Sequence, residues 1–248
     1  MPHGQVRGSL GQRRTWNLLE HDHSVSLSLP YEWLSSGHSE QLWGKGPAHT
    51  RVEYARLPRL PVRNGSFDWL PPLPPGVEGM PLVYVGEPDD DDDEYDGELD
   101  EAAAMGQLDG LIADATARSL VVPAAFVTLM TDPLLRGRIP SPTGSYYELG
   151  AALRTLPGPK GPERLLQFLF ELGCGWYLLL EPGGRHRVVT AVDTDPEKPP
   201  ADVTVCADSF EEFIERFWIE NTLWFLQRDG KPIEGRLRDY LEAAQRAI

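Results

Sequence analysis

The sequence VTVCADSFEEFIERFWIENTLWFLQR, residues 203–228, predicts a short buried strand followed at once by a long core helix. Ser209 and Glu212 have the spacing of a capping box, in which the hydroxyl accepts from the amide three residues on and the carboxylate reaches back. The large apolar side chains fall on one stripe of this helix, which favours a core helix over an aromatic ligand site. They are Phe210, Phe213, Ile214, Phe217, Trp224 and Phe225.

The polar residues of the same helix fit this interpretation. Four glutamates are expected mostly opposite the stripe: Glu211, Glu212, Glu215 and Glu220. Asn221 lies within the stripe, and a buried amide must be hydrogen-bonded. We therefore expect Asn221 to bridge two parts of the core.

The rest of the chain predicts strands joined mainly by hairpins. Apolar runs at 176–180 and 185–192 flank the turn Glu181-Pro182-Gly183-Gly184, which is typical of a hairpin. Further strands are expected at 81–86 and 203–207, and helices at 98–118, 123–132, 163–172 and 235–248. These elements predict an α+β fold with a mainly antiparallel sheet packed against helices.

The net charge is confined to one stretch of the chain. The sequence has 23 basic and 38 acidic side chains, a net charge of −15, and residues 64–117 contain 15 acidic side chains and no Lys or Arg. This balance opposes binding to nucleic acid, which requires clustered Lys and Arg. An acidic surface loop is expected at 87–101, because its central run repels itself and must be solvated. The run is Asp89, Asp90, Asp91, Asp92, Asp93 and Glu94, and it is either a solubilising loop or a contact for a basic partner.

Composition and patterning also suggest how the chain is organised. Gly 24 and Pro 23 together make about a fifth of the 248 residues. Residues 1–60 lack sustained periodicity, which predicts a loosely ordered N-terminal arm before one α+β domain at 61–248. Within that domain, WLPPLPP at 69–75 is expected to be extended, because proline fixes its own φ and restricts the preceding residue. It is either a stiff connector or a docking motif for a proline-reading domain.

The compartment is predicted from what the chain lacks. No signal-peptide pattern opens the sequence, and polar residues and glycines interrupt its most apolar stretch, 165–180. We therefore expect a cytoplasmic protein without a membrane span. Cys174 and Cys206 are expected to be reduced, buried thiols, with a disulfide or metal pair as the alternative.

Three phrases, in this order, resemble the SUKH superfamily, which takes in the yeast Smi/Knr cell-wall regulator and many bacterial immunity proteins. The first is VPAAFVTLM at 122–130, which is similar to an early helix of the family. The second is WYLLL at 176–180, with Gly184 and the Val188-Val189 pair, which is similar to the central sheet. The third and most specific is VCADSFEEF at 205–213, which resembles the closing strand and the helix after it. The resemblance covers about residues 99–226.

The resemblance implies a function as well as a fold. Its members bind other proteins, commonly a toxin in bacterial conflict systems, and the eukaryotic version is regulatory scaffolding. None of the matched phrases is catalytic. The resemblance therefore implies a protein partner, with a basic toxin as the specific version.

The residues offer little for an enzyme. His21-Asp22-His23 lacks a third metal ligand specified by the sequence, and His186 is expected to be an exposed strand residue rather than a general base. Asp193 and Asp195 lie in a proline-rich stretch that favours a solvated loop. The sequence contains no glycine-rich phosphate loop, nucleophile elbow or Cys-x-x-Cys pair. We expect no catalytic residues, no cofactor and no metal.

A partner could also bind the folded body. Tyr146 and Tyr147, with Trp176 near them, are candidate exposed anchors, since Tyr and Trp are common in binding hot spots. The same tyrosines could equally be core residues. A small-molecule site in the concavity of the sheet stays an alternative for which the sequence supplies no motif.

Overall fold

The computed structural model describes residues 58, 60–61, 63–85, 101–141, 146–158, 161–171, 174–192 and 201–247. Several predictions from the sequence lie outside these residues. They are nearly all of the N-terminal arm, the acidic run at 89–94, the histidine pair at 21–23 and the carboxylate pair at 193–195.

In the described residues, seven strands form one mixed sheet. They are β1 (Val83–Val85), β2 (Tyr146–Leu149), β3 (Arg154–Gly158), β4 (Gly161–Glu171), β5 (Cys174–Leu180), β6 (His186–Val192) and β7 (Ala201–Ala207). Their order is β1-β2-β4-β5-β6-β7, and β3 also pairs with β4. β1 and β2 run parallel, and the other pairs of the described sheet are antiparallel.

Five helices accompany the sheet in the described part of the chain. They are α1 (Glu101–Ala117), α2 (Ala124–Thr131), α3 (Pro133–Arg136), α4 (Phe210–Arg228) and α5 (Gly235–Ala247). The predicted α+β fold with a mainly antiparallel sheet is therefore confirmed. The hairpin is confirmed too: β5 and β6 pair in the register Leu178↔Val188. Gly183 and Gly184 in its turn have φ values of 82° and 78°, which favour glycine.

The helix predicted at 163–172 is wrong, because these residues belong to β4. This strand is central: β5 pairs along one edge, and β2 and β3 share the other. Leu165, Leu166, Phe168 and Leu169 are all buried. A strand covered on both faces is apolar at successive positions, so its sequence cannot be told from a buried helix by periodicity.

Aromatic rings join the sheet to the helices. The Phe210 ring at the start of α4 lies 5.3 Å from the ring of Phe126 in α2 and 5.4 Å from that of Phe168 in β4, both edge to face. Phe213 contacts Phe168 in the same way at 5.5 Å. Edge-to-face pairs at these distances are favourable beyond the area they bury. The predicted apolar stripe of α4 therefore forms the centre of the core.

The start and middle of α4 also follow the sequence. The Ser209 hydroxyl accepts from the Glu212 amide at 3.1 Å, and the Glu212 carboxylate accepts from the Asp208 amide at 3.3 Å. The Asn221 side chain donates to the Pro140 carbonyl at 3.4 Å, which confirms the predicted bridge. Cys206 is buried and outside any disulfide, as expected, whereas the side chain of Cys174 lies outside the described part of the structure.

Glu215 and Glu220 are not exposed to solvent, as their predicted position opposite the apolar stripe would imply. Glu215 and Glu220 are each only 1% exposed. The side of α4 that the sequence assigns to solvent is covered by α5 and by the chain around residues 58–63, through contacts described below. The helix is therefore buried on nearly all sides between Phe213 and Leu226.

Candidate functional site

The acidic segment, residues 86–100, connects β1 to α1 and lies outside the described residues. Glu101, the last residue of the predicted acidic loop, is the first residue of α1. One buried arginine binds the chain on both sides of the acidic segment. Arg136 donates from Nε to the Pro81 carbonyl at 2.8 Å, just before β1, and from Nη2 to the Glu101 carboxylate at 2.7 Å, at the first residue of α1. Its third contact is to the Met130 carbonyl at the end of α2. We call these contacts the Arg136 clamp.

Local sequence explains why Arg136 points inward. The Asp132 carboxylate caps α3 by accepting from the amides of Leu134 and Leu135 at 2.9 and 3.0 Å. Pro133 is the first residue of this short helix, a position in which its missing N–H is not needed. The cap fixes the turn, and Arg136 is fully buried. Since a buried guanidinium must be hydrogen-bonded, its three contacts are structurally required.

The described residues beside the acidic segment are also acidic. The Glu101 side chain is 49% exposed although it binds Arg136. Asp109, two turns further along α1, and Glu78, just before β1, are exposed. Exposed carboxylates therefore lie on the described body on both sides of the acidic segment in the chain, at Glu78 and Glu101.

The two candidate tyrosines are separated by the alternation of β2. Tyr147 is fully buried, in register with Val83 of β1 and Leu169 of β4, so of the two alternatives left by the sequence it takes the core position and is not an exposed anchor. Burial raises the pKa of its hydroxyl well above the ordinary value, opposed by the charge of Arg136. Trp176, expected near them at the surface, is buried as well. Successive side chains of a strand point to opposite faces, so one residue of the pair had to be internal.

Tyr146 remains a candidate contact. It is half-buried, and its ring lies 5.0 Å from that of Tyr84 and 5.7 Å from that of Phe170. Tyr84 belongs to β1, whose last residue, Val85, precedes the acidic segment. The structure thus brings an aromatic cluster of Tyr84, Tyr146 and Phe170 next to the point where the acidic segment begins.

His186 has a structural role that the sequence did not indicate. Its Nε2 accepts from the Phe210 amide at 3.2 Å, and the side chain is 18% exposed, so the expected exposed position is wrong. Burial lowers the pKa of the imidazole, while Glu211, whose carboxylate lies 4.0 Å away, and Glu181 oppose the shift. A neutral imidazole that accepts at Nε2 satisfies a backbone amide of the first turn of α4.

Two charged clusters join α4 to its neighbours, and sequence reasoning missed both. In the first, Glu215 accepts from Arg63 at both oxygens, at 2.8 and 2.9 Å, and from Arg236 of α5. Arg63 lies before β1, so this cluster ties two distant parts of the chain to α4. A bidentate pair of this kind combines charge with a fixed geometry.

The second cluster lies on the next face of the helix. Arg216 donates to the Tyr240 hydroxyl at 2.9 Å, to Glu212 at 3.1 Å and to the Pro58 carbonyl at 3.4 Å. The Tyr240 hydroxyl in turn donates to Glu220. Burial raises the pKa of Glu220 to about 7, opposed by Arg216 and by the hydrogen bond from Tyr240. The i, i+4 spacing of Glu212, Arg216 and Glu220 indicates ion pairs along one face of the helix, but it does not indicate that this face is buried.

Among the described residues, no group of three or more His, Cys, Asp or Glu side chains could hold a metal ion. None of the helices in the part of the chain that the structure describes is long and apolar enough to span a bilayer.

Comparison of the chain with protein-family models, with curated proteins and with solved structures gives no match.

Proposed function

We propose that the protein is a non-enzymatic, cytoplasmic binding module of the SUKH-like type, and that it binds and neutralises a basic protein toxin. The observation that carries this proposal is the position of its charge. The stretch 64–117 holds an excess of acidic groups equal to the whole net charge of −15. The Arg136 clamp joins Pro81 and Glu101, which lie on either side of the acidic segment in the chain.

Such an arrangement suits a basic partner. Concentrated charge accelerates encounter with a surface of opposite sign and disfavours other acidic partners. A nuclease is one such basic target, because its nucleic-acid groove is positive and an acidic segment could cover it. Charge alone gives little affinity, so a contact that buries apolar area is also needed.

The aromatic cluster provides that second contact in the proposal. Tyr84 and Tyr146 are half-buried beside the start of the acidic segment. Tyrosine combines a large apolar ring with a polar end and is common in hot spots. We infer that the partner first meets the acidic segment and then packs against these rings.

The inner polar groups support binding over catalysis. His186 caps a helix, Glu215 joins two arginines, and Arg136 binds two carbonyls and a carboxylate. Each of these groups is accounted for by holding elements of the fold together. A regulatory scaffold of the Smi/Knr type would use the same surface with another partner, so the identity of the partner separates the two versions.

The test is affinity capture with the tagged full chain from a lysate of its own organism, at low and at moderate salt. Two matched variants each lose three negative charges. In the first, Asp90, Asp91 and Asp92 of the acidic segment are replaced by Ser. In the second, the exposed residues Glu234, Asp239 and Glu242, in and just before α5, are replaced by Ser. We expect a basic, toxin-like partner that is lost as salt rises. The affinity of that partner should fall in the first variant and stay near wild type in the second.

Further outcomes refine or reject the proposal. Tyr146→Ala should weaken binding with little effect on its salt dependence, because it removes apolar contact rather than charge. Equal affinities for the two charge variants at low salt would reject the role of the acidic segment. A specific partner without toxin activity would favour the scaffold, and the absence of a specific partner at both salt concentrations would reject both versions.

A further inference from the structure

Glu220 lies in the middle of α4 and faces α5, where it is 1% exposed. One of its carboxylate oxygens accepts from the Tyr240 hydroxyl. The other is buried and has no hydrogen-bond partner among the residues that the structure describes. An ionised carboxylate needs several donors when it is removed from water, so the arrangement suits the neutral acid better than the anion.

The charged and titratable groups that face Glu220 are few. Among the described residues, these groups are Arg216 from α4 and Tyr240 from α5. Arg216 is already engaged by the Tyr240 hydroxyl and by Glu212, at 2.9 and 3.1 Å. The charge of Arg216 and the hydrogen bond from Tyr240 each favour the ionised carboxylate, but burial outweighs both.

Polar contacts attach α5 to α4 at two places: Tyr240 binds Arg216 and Glu220, and Arg236 binds Glu215. Tyr240 and Ala244 are its buried side chains in the described structure, and Leu237 and Leu241 are partly buried against the core. Most of its other described residues are exposed and polar. The hydrogen bond between Tyr240 and Glu220 thus lies at the centre of a small contact area.

We propose that α5 is a pH-gated helix, which is seated on α4 while the Glu220 carboxyl carries a proton and loosens when that carboxyl ionises. In the seated state the neutral acid satisfies the Tyr240 hydroxyl without a buried charge. After ionisation, water must reach the carboxylate, and the opening of α5 admits it.

The direction of the effect follows from linkage. Burial raises the pKa of Glu220 to about 7, from 4.5 for a carboxyl in water. A raised pKa in the seated state means that its contribution to docking is complete below 4.5 and is lost as pH rises through 7. With these two values, the equilibrium constant for opening rises about tenfold between pH 6 and pH 8.

Hydrogen exchange of the full chain tests the proposal. Protection of the amides in Gly235–Ala247, corrected for the intrinsic exchange rate, should fall about tenfold from pH 6 to pH 8. Amides of α1 provide the internal reference. Glu220→Gln, which stays neutral, should keep α5 protected at both pH values, whereas Glu242→Gln on the exposed side of α5 should behave as wild type. Equal protection of the wild type at both pH values would overturn the proposal, and so would an unchanged pH effect in Glu220→Gln.

A second variant covers the case in which Glu220→Gln does not fold. Tyr240→Phe removes the one described hydrogen bond to the carboxylate, so ionisation becomes harder and the loss of protection should move to higher pH. An unchanged or lower midpoint would also overturn the proposal.

Discussion

The guanidinium of Arg63 binds both carboxylate oxygens of Glu215, although 152 positions separate the two residues in the chain. Glu215 is 1% exposed and the Arg63 side chain 24%. The pair therefore fixes the chain that leads into β1 against the central helix, by a contact that no local pattern could specify.

Loss of Arg63 should destabilise the fold, because it leaves Glu215 buried with Arg236 as its remaining described cation. We expect Arg63→Met to lower the free energy of unfolding by about 1–3 kcal/mol in urea titrations. Arg118→Met is the control, since Arg118 and Asp114 form an exposed pair on α1 and should contribute less than about 0.5 kcal/mol. Similar effects of both variants would contradict the structural importance of the Arg63 contact.

Loss of the Tyr147 hydroxyl should stabilise the fold, in contrast to loss of Arg63. It is buried without a hydrogen-bond partner among the described residues. Tyr147→Phe should therefore raise the free energy of unfolding by about 1 kcal/mol, because a desolvated hydroxyl is removed. In Tyr177→Phe, a hydroxyl that accepts from Arg154 at 3.4 Å is lost, and stability should fall by about 1 kcal/mol. A lower midpoint of thermal unfolding for Tyr147→Phe than for Tyr177→Phe would show that the Tyr147 hydroxyl is hydrogen-bonded.

Because of His186, the free energy of unfolding should decrease as the pH falls below neutral. Its pKa in the fold is lowered below the ordinary 6.5, since the neutral ring is buried and accepts from the Phe210 amide. A lowered pKa means that this contribution is complete above 6.5 and is lost as pH falls through the value in the fold. Urea titrations between pH 7.5 and pH 5 should show the loss in wild type and a smaller one in His186→Gln, which cannot titrate. An identical pH dependence in the two proteins would contradict the helix-capping role.

Two glycines test the packing around α1 and α2. A methyl group at Gly106 in α1 would meet no atom within 4 Å, so Gly106→Ala should raise the free energy of unfolding by about 0.5–1 kcal/mol. At Gly65 the added carbon would lie 2.9 Å from Ala125 Cβ and 3.0 Å from its Cα. Gly65→Ala should therefore lower stability by about 1–3 kcal/mol, since the neighbour is partly backbone. Destabilisation by Gly106→Ala would mean that another surface packs on that side of α1.

Local patterns predicted the elements whose causes are local. The capping box at Ser209, the turn at Gly183 and the apolar stripe of α4 all depend on residues a few positions apart. The local pattern at β4 predicts a helix, because the pairing that makes it a strand comes from strands on both edges, which local spacing does not reveal.

The candidate site was less predictable, for the same physical reason. Burial of Glu215 and Glu220 is created by α5 and by the chain near residue 63. The difference between Tyr146 and Tyr147 depends on which face of β2 meets the core, and two adjacent tyrosines do not reveal it. Nothing near Arg136 in the sequence shows that its partners are Pro81, Met130 and Glu101.

The Arg136 clamp bears on which changes of sequence the fold should tolerate. One guanidinium joins the described residues on either side of the acidic segment, through its contacts with Pro81 and Glu101. Insertions, deletions or changes of charge between Val85 and Glu101 should then leave the body folded, since lengthening a loop with fixed ends adds little entropy cost. A reporter peptide inserted between Val85 and Glu101 should therefore be tolerated without loss of the folded body.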